Sequence, residues 1–158
     1  MNQKKREIQS LEEIKNIISQ LKVCRLAFSS ADFSFPYIVP MNFGCDWEDD
    51  KLTLYFHCAP KGKKLEMMAA NPKVCFEMDT GHALTFKDKS VACTYSYRFE
   101  SVIGYGIAKI LTDEYEKRHA LSKLMEQHTG QSNFNFPNLN GVTVFAVNIE
   151  SFTGKRHL

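Results

Sequence analysis

The sequence predicts a mainly β domain in which an antiparallel sheet closes into a barrel and helices pack outside it. The expected elements follow in the order helix, three strands, short helix, strand, long strand, helix, strand. Most links between consecutive strands are short, which favours antiparallel hairpins over parallel crossovers. At 158 residues the chain is long enough for one core and short for two, so we expect a single domain over 1–158.

Composition indicates a folded globular chain without a broad nucleic-acid surface. Hydrophobic residues make up 44% of the chain and aromatic residues 12%, which is enough for a packed interior. Twenty Lys and Arg against 18 Asp and Glu leave a formal net charge of +2. A general nucleic-acid binder needs a wide excess of cations, so we expect no nucleic-acid partner and only a local positive site.

The cysteines predict a reducing environment. There are five, an odd number, without the C-x-x-C pair of a zinc ribbon or a redox dithiol. We therefore expect free thiols in a cytoplasmic protein. A zinc site built from His57, Cys58 and Cys93 would lack the usual ligand spacing, so no metal is expected. The basic, polar start and the lack of an 18-residue apolar run predict neither a signal peptide nor a membrane span.

The first third of the chain predicts one helix and then strands. "SLEEIKNIISQL" begins with Ser10 and has Glu13 three residues later, a capping box, and its apolar residues share one helical face. "VCRLAFSS" and "FPYIVPMNFG" predict strands. Pro36 and Pro40 cannot donate ladder hydrogen bonds, which puts the second strand at an edge, an end or a bulge. One side of that strand should be open.

The middle of the chain predicts two alternating strands around a short helix. "KLTLYFH" alternates apolar and polar residues, so Leu52, Leu54 and Phe56 should face one way and Thr53, Tyr55 and His57 the other. A helix over about 62–70 should end at Asn71 and Pro72. "KVCFEMD" predicts a strand with three inward residues, followed by a polar loop; the inward residues are Val74, Phe76 and Met78.

The last third predicts a long strand, a second long helix and a final strand. "TYSYRFESVIGYGIAKIL" suits one bent strand or two, with Gly104 and Gly106 where it could bend. The helix should start after an N-cap at Thr112 or Asp113 and stop at Gly130. "GVTVFAVNIES" predicts the last strand, and the terminal "GKRHL" is expected to fray.

A lysine cluster lies where a strand passes into the short helix. Lys61, Lys63 and Lys64 surround Gly62. A helix N-terminus offers free N–H donors and partial positive charge, glycine allows close approach of the backbone, and lysines add point charges. This combination suits a phosphate group. The spacing alone favours a solvated basic turn, because short basic turns are common and the pattern is not a Walker loop.

Several segments together resemble a known family. "PYIVPMNFG", "LYFHCAPKGKKLEMMAANPKVCFE", "SVIGYGIAKI" and "TGKRH" are similar to the 5-nitroimidazole resistance proteins. These proteins are a branch of the pyridoxamine 5'-phosphate oxidase-related FMN-binding split-barrel superfamily. The resemblance covers nearly the whole chain. It implies a six-stranded antiparallel Greek-key split β-barrel and a homodimer with FMN in clefts at the subunit interface.

The resemblance also implies a set of cofactor-binding residues. Lys63 and Lys64 match the basic pair that grips the FMN phosphate, and Gly62 matches the small residue before that pair. His57 and Cys58 match the strand end beside the ribityl chain and phosphate. A polar position on the long strand that reaches the cofactor corresponds to Ser101. The strand that borders the flavin corresponds to Val39, Pro40, Met41 and Asn42.

One departure from the family bears on the substrate. The oxidases that act on pyridoxamine phosphate have a longer C-terminal part with cations for the substrate's phosphate. A further cation on their first strand is replaced here by Tyr37 and Asn42. The resemblance therefore argues against pyridoxamine phosphate and favours the nitroimidazole branch, in which a histidine at the position of His57 lies close to the flavin and its substrate.

The resulting hypothesis is an FMN-dependent oxidoreductase that reduces 5-nitroimidazoles or other small organic acceptors. Imidazole titrates near neutral pH, so His57 is the candidate catalytic residue for proton delivery; the alternative is a strand-end histidine that only orders the loop. A different class remains open, a non-catalytic barrel that binds flavin or haem. The terminal "GKRHL" could also fold over a partner's flavin instead of fraying.

Overall fold

The computed structural model describes residues 3–158, which form an antiparallel sheet with three helices and short 3-10 turns at Gln3–Arg6 and Ala92–Thr94. The helices are α1 (Leu11–Gln20), α2 (Lys63–Ala70) and α3 (Glu114–Thr129). The strands are β1 (Glu7–Ile8), β2 (Val23–Phe28), β3 (Tyr37–Asn42), β4 (Gly44–Glu48), β5 (Lys51–Cys58), β6 (Lys73–Thr85), β7 (Ser96–Ile110) and β8 (Thr143–His157). The predicted class, mainly β with flanking helices, is confirmed.

The sheet has eight strands instead of the expected six, and it is split, as the resemblance implies, and not closed into a complete barrel. Its hydrogen-bonded order is β3-β2-β6-β7-β8-β5-β4, and β1 adds to β8. The two edge strands, β3 and β4, are consecutive in the chain and joined by Phe43 alone. One residue is too short for a hairpin turn, so β3 and β4 cannot pair along their lengths. The sheet therefore curls until its edges meet at Phe43, and the barrel stays split there.

The helix ends follow the predicted capping residues. Ser10 accepts a hydrogen bond from the backbone N–H of Glu13 (3.4 Å) at the start of α1. Asp113 is the N-cap of α3 and accepts from the N–H of Glu116 (3.0 Å). Gly130 ends α3 in the left-handed conformation, at φ 73°. Each cap satisfies backbone groups that the helix leaves without partners.

Two apolar clusters hold the sheet and helices together. The larger fills the inside of the curled sheet, and Phe43 at the split is fully buried in it. Its strand residues include the predicted inward sets on β5 and β6, and α1 covers one end. A smaller cluster lies under α3 on the outer face of β5 and β8; its buried members are Leu111, Ala120, Leu121, Leu139, Val144 and Ala146. α3 is thus fixed to the outside of the sheet.

The hairpin of β6 and β7 is longer than the sequence predicts. The expected polar loop after Asp79 is still strand, because β7 continues to pair with β6 as far as Thr85 and Ser96. The register shifts between Thr80 and Ala83. β7 itself is one strand with an irregularity between Tyr105 and Gly106 opposite β8, where the glycines predicted a bend. Side-chain alternation cannot reveal such an extension, since it depends on the partner strand.

The expectation that the C-terminal residues fray is wrong. β8 continues to His157 and pairs with β7 throughout this segment. Arg156 makes an ion pair with Glu13 of α1 (2.6 Å), and Nε2 of His157 lies 2.7 Å from Oγ of Ser96. The tail is ordered because β7 is long enough to pair with it.

Two further properties follow from the described coordinates. All five cysteines are free thiols, and Cys24 is fully buried. None of the helices within residues 3–158 is long and apolar enough to span a membrane.

Candidate functional site

The start of α2 combines an uncapped helix end with two lysines. Gly62 precedes the helix with φ 152° and ψ 164°, a conformation that only glycine adopts readily, and no side chain caps the helix start. Among the described residues, nothing lies within 4 Å of the position a Cβ of Gly62 would occupy. The N–H groups of Lys63 and Lys64, the first two of α2, are therefore not capped by a side chain, and two lysine side chains lie beside them.

Lys63 connects this helix start to β3. Its ammonium group lies 4.8 Å from the ring centroid of Tyr37 and 5.6 Å from that of Phe33. Tyr37 is the first residue of β3, and both rings pack on the main core. The lysine is thus held beside the strand by cation–π contacts, with its charge exposed for a ligand.

Cys58 lies close to Lys64 at the end of β5. Burial raises the pKa of the Cys58 thiol, and the positive charge of Lys64 only partly offsets this. Cys58 is therefore a neutral, half-buried thiol in the wall of the site, and its chemistry gives no reason to treat it as a nucleophile.

β3 presents an open edge between the two ends of the site. Within residues 3–158 it pairs only with β2, so one row of its backbone groups is not used by another strand. Val39 and Met41 pack on the core, whereas Pro40 and Asn42 are exposed on the opposite face. The predicted edge position of the proline-containing strand is confirmed.

His57 lies near the end of β5, next to Cys58. It is exposed on the outer face of β5, as the alternation predicts, and pairs with Val144 of β8. Burial lowers the pKa of His128 on α3, and the charges of Lys22 and, to a smaller extent, His57 lower it further. His57 directly precedes Cys58, whose thiol feels the charge of Lys64. The start of α2 and the open edge of β3, joined by the contact between Lys63 and Tyr37, form one elongated surface.

Ser101 is not brought to this surface within one chain. It lies on β7, where it pairs with Asp79 of β6 and Lys155 of β8. Three strand spacings separate β3 from β7 in the sheet, which is about 14 Å. Of the predicted site residues, those on β3, the end of β5 and the start of α2 come together, and Ser101 stands apart on the same sheet.

Sequence reasoning missed an exposed apolar area on the outer face of the sheet. Ile38, Ala27, Cys75 and Tyr105 follow one another across β3, β2, β6 and β7. Ile38 is 62% exposed and Tyr105 58%, and neighbouring Ile103 is also exposed. The alternation in the sequence already indicates that these residues face outwards. Only the register of the strands shows that they are neighbours in the sheet.

A charged group borders this apolar area. Nη1 of Arg25 lies 2.9 Å from a carboxylate oxygen of Glu77 and 2.5 Å from one of Asp79. Both carboxylates hold the pKa of Arg25 above its usual value. Among residues 3–158, no group of three or more His, Cys, Asp or Glu side chains is arranged to hold a metal ion.

The donor set of the elongated surface fits a flavin nucleotide. A phosphate needs cations and N–H donors, which the start of α2 supplies. The flavin ring needs hydrogen-bonding groups along its polar edge and an open face for substrate, which the free edge of β3 can supply.

Comparison with known proteins identifies the family of this chain. The family profile of pyridoxamine 5'-phosphate oxidase matches residues 10–156. The chain belongs to the pyridoxamine 5'-phosphate oxidase-related family. The resemblance to this group inferred from "PKGKK" and its neighbouring segments is thereby confirmed. No curated protein matches the sequence of this oxidase-related chain.

Several solved structures are similar to the chain. A provisionally assigned 5-nitroimidazole antibiotic resistance protein from Bacteroides thetaiotaomicron is 36% identical, with a TM-score of 0.80 over 95% of this chain and 86% of that one. An FAD-binding protein from Mesorhizobium loti is 25% identical, with a TM-score of 0.66 over 97% and 98% of the two chains. A flavocytochrome from Azotobacter vinelandii shares the fold at 15% identity, with a TM-score of 0.78 over 100% of this chain and 72% of the other. The oxidase-related chain thus has the split-barrel fold of a flavin-binding superfamily.

Proposed function

We propose that the protein is an FMN-dependent oxidoreductase of the nitroreductase type, which reduces 5-nitroimidazoles or other small organic acceptors. The observation that carries the proposal is the open anion site at the start of α2, held against β3 by the contact between Lys63 and Tyr37. The similarity to a 5-nitroimidazole resistance protein supports the choice of acceptor. Pyridoxamine phosphate is not the proposed substrate, because Tyr37 and Asn42 replace the cation of the oxidases.

The residues along β3 would hold the cofactor by its two ends. Lys63, Lys64 and the first N–H groups of α2 bind the phosphate, with Gly62 allowing close approach. Cys58 borders the ribityl chain, and the open strand edge orients the ring; the residues of that edge are Val39, Pro40, Met41 and Asn42. FMN, when bound, supplies two-electron transfer to the acceptor.

His57 is proposed as the catalytic residue that delivers a proton to the acceptor. Its side chain is exposed on the outer face of β5 and is free to meet a substrate that stacks on the open ring face. A reduced nitro group must take up protons together with electrons, and an imidazole can supply them near neutral pH.

A homodimer completes the proposed site. The exposed apolar area around Ile38, Ile103 and Tyr105 would be covered by a second copy, which removes it from water. Ser101 lies on the same outer face, three strands from β3, so a second copy could bring its own Ser101 to the cofactor. A cytoplasmic location is part of the proposal and is consistent with the five free thiols.

Removal of the anion site tests the proposal. The double variant Lys63→Ala/Lys64→Ala should bind FMN at least about 100-fold more weakly, because two charge-assisted contacts are lost. Binding is measured by quenching of flavin fluorescence. The matched control is Lys51→Ala/Lys109→Ala, which removes two exposed lysines elsewhere on the sheet. Equal FMN affinity in both double variants would overturn the assignment of the site.

Turnover separates an enzyme from a binding module. The FMN-loaded protein, supplied with a chemical electron donor, should reduce a 5-nitroimidazole at a rate that saturates with substrate. His57→Gln should lower kcat while FMN binding is kept. Tight cofactor binding without turnover would instead favour a storage or sensing role, and a red-brown protein with a haem spectrum would favour haem as the ligand.

A further inference from the structure

A cavity of about 370 Å³ lies between the first half of α3 and the outer face of the sheet. Its lining comes from β5, β7, β8 and α3, and it adjoins the smaller apolar cluster that fixes α3 to the sheet. None of the residues that line it belongs to β3, to α2 or to the end of β5 at His57 and Cys58. The cavity is therefore separate from the proposed flavin site.

The floor of the cavity is a row of three residues across neighbouring strands. Tyr55 of β5 pairs with Ala146 of β8, and Ala146 pairs in turn with Lys109 of β7. Two strand spacings separate Tyr55 from Lys109, which is about 10 Å between their Cα atoms. Because alanine has only a methyl group, the floor is low between the tyrosine and the lysine. A ligand that lies on Ala146 would thus have a phenol at one end and an ammonium group at the other.

His119 of α3 forms part of the wall and is held in a fixed orientation. Its Nε2 lies 2.9 Å from Oδ2 of Asp46, and its ring meets that of Tyr55 edge to face, with 5.7 Å between the centroids. An ionised carboxylate only accepts hydrogen bonds, so Nε2 carries the hydrogen and Nδ1 of the neutral ring is an acceptor. Within residues 3–158, Nδ1 has no hydrogen-bond partner and is not shielded from solvent. It is available to a ligand in the cavity.

The phenol of Tyr55 is the donor beside this acceptor. Burial, assisted by the charges of Asp46 and Glu116, raises the pKa of Tyr55, so its hydroxyl keeps its proton at neutral pH. A ligand hydroxyl can accept from one group and donate to another at the same time. The pair of Tyr55 and His119 therefore matches a hydroxyl group at this end of the row.

Charged groups at the cavity indicate what the other end of the ligand carries. Lys109 and Glu116 both line it, and neither takes part in an ion pair among the described residues. The ammonium group of Lys109 suits a carboxylate, whereas Glu116 disfavours a second negative charge. Leu111 and Tyr115 add apolar surface for a ring.

We infer that this cavity binds a small aromatic monocarboxylate that carries a ring hydroxyl. The carboxylate pairs with Lys109, the ring lies over Ala146, and the hydroxyl accepts from Tyr55 and donates to Nδ1 of His119. Asp46 is a positioning residue, because it fixes which nitrogen of His119 is the acceptor. The site goes beyond the proposed reduction of nitro compounds and does not depend on it.

Isothermal titration calorimetry of the full-length protein with 4-hydroxybenzoate tests the carboxylate end. Lys109→Gln should weaken binding at least about tenfold, because one charge-assisted contact is lost. The matched control is Lys87→Gln, which removes an exposed lysine from the loop after β6 and should bind like the wild type. Absence of binding to the wild type, or equal affinities of the two variants, would overturn the inference.

Benzoate, which lacks the hydroxyl, tests the other end of the row. The wild type should prefer 4-hydroxybenzoate about fivefold, the effect of one ordinary hydrogen bond. His119→Phe keeps an aromatic ring beside Tyr55 but offers no acceptor, so the preference should disappear. Tyr55→Phe removes only the donor and should reduce it, which gives a second reading if His119→Phe does not fold. A full preference in either variant contradicts the proposed orientation of the ligand.

Two further measurements separate this cavity from the start of α2. Inorganic phosphate should not compete with 4-hydroxybenzoate, because Glu116 repels a dianion. Lys63→Ala/Lys64→Ala should bind 4-hydroxybenzoate like the wild type, since both lysines lie outside the cavity. Competition by phosphate, or loss of binding in this double variant, would place the carboxylate at the helix start and overturn the inference. Neither result depends on whether the protein binds FMN or reduces a nitroimidazole.

Discussion

Gly44 and Leu124 touch through their backbones: a Cβ on Gly44 would lie 2.3 Å from the amide nitrogen of Leu124. This contact sets how closely α3 lies on β4. The helix cannot approach a strand so closely at any residue with a side chain.

Gly44→Ala should destabilise the fold by about 2–3 kcal/mol, because neither backbone can yield to the added methyl group. Urea unfolding measures the change. Gly141→Ala is the matched control, since its Cβ would meet only the Asn138 side chain, at 4.0 Å, and it should be neutral or slightly stabilising. Equal effects of the two substitutions would show that α3 is not in backbone contact with β4.

The contact between Lys63 and Tyr37 predicts a graded effect on cofactor affinity. Tyr37→Leu removes the ring that holds the ammonium group, so FMN should bind about 2- to 5-fold more weakly. Tyr37→Phe keeps the ring and should bind within about twofold of the wild type. Flavin fluorescence titration measures both. If the Leu and Phe variants bind FMN alike, the ring does not preorganise Lys63.

His128 predicts an acid-sensitive part of the stability. Burial, followed by the charges of Lys22 and His57, lowers its pKa in the folded protein below the ordinary value near 6.5. As pH falls below about 6.5, the unfolded ring takes up a proton before the folded one does. The free energy of unfolding should therefore decrease through this window, and the ring should contribute no pH dependence above it.

The comparison for this prediction is His128→Asn, which cannot titrate. Urea unfolding at a series of pH values between 5 and 8 should give wild-type and variant stabilities that run parallel above pH 7 and converge or cross as the pH falls. Curves that stay parallel over the whole range would mean that the folded and unfolded rings titrate alike.

The cysteines predict a clear order of reactivity. Burial, assisted by the charge of Asp46, raises the pKa of the Cys45 thiol to about 11, and burial raises that of Cys24 well above its usual range. Cys93 is exposed. Since the thiolate is the reactive form, iodoacetamide at pH 8 should modify Cys93 first and reach Cys24 and Cys45 only after unfolding.

Peptide mass spectrometry of the reduced protein over time measures this order. Modification of Cys24 in the folded protein at the rate of Cys93 would mean that the interior of the sheet opens locally on that timescale.

Local patterns were enough to predict most elements of this chain. The caps at Ser10 and Asp113, the end of α2 at Asn71 and the inward faces of β5 and β6 depend on neighbours within a few residues. The edge position of β3 followed from Pro40, because the missing N–H is a property of the residue itself. Such features depend on the chemistry of single residues and their near neighbours, so they can be predicted from the sequence.

Pairings between distant segments were not predictable in this way. The extension of β6 to Thr85 and of β8 to His157 depends on the length of β7, which lies far from both in sequence. The open sheet depends on the single-residue link at Phe43 and on how the sheet curls around it. The burial of His128 likewise depends on tertiary packing and not on its neighbours in sequence.

Residue types and spacing alone decided three features: the order of strands and helices, their buried faces and the lysine pair at a helix start. The contact of Lys63 with Tyr37 at the start of β3, and the close packing of α3 on Gly44, were decided only by the folded chain. The physical reason is that alternation and capping act over a few residues, whereas register and helix docking depend on contacts between segments many residues apart.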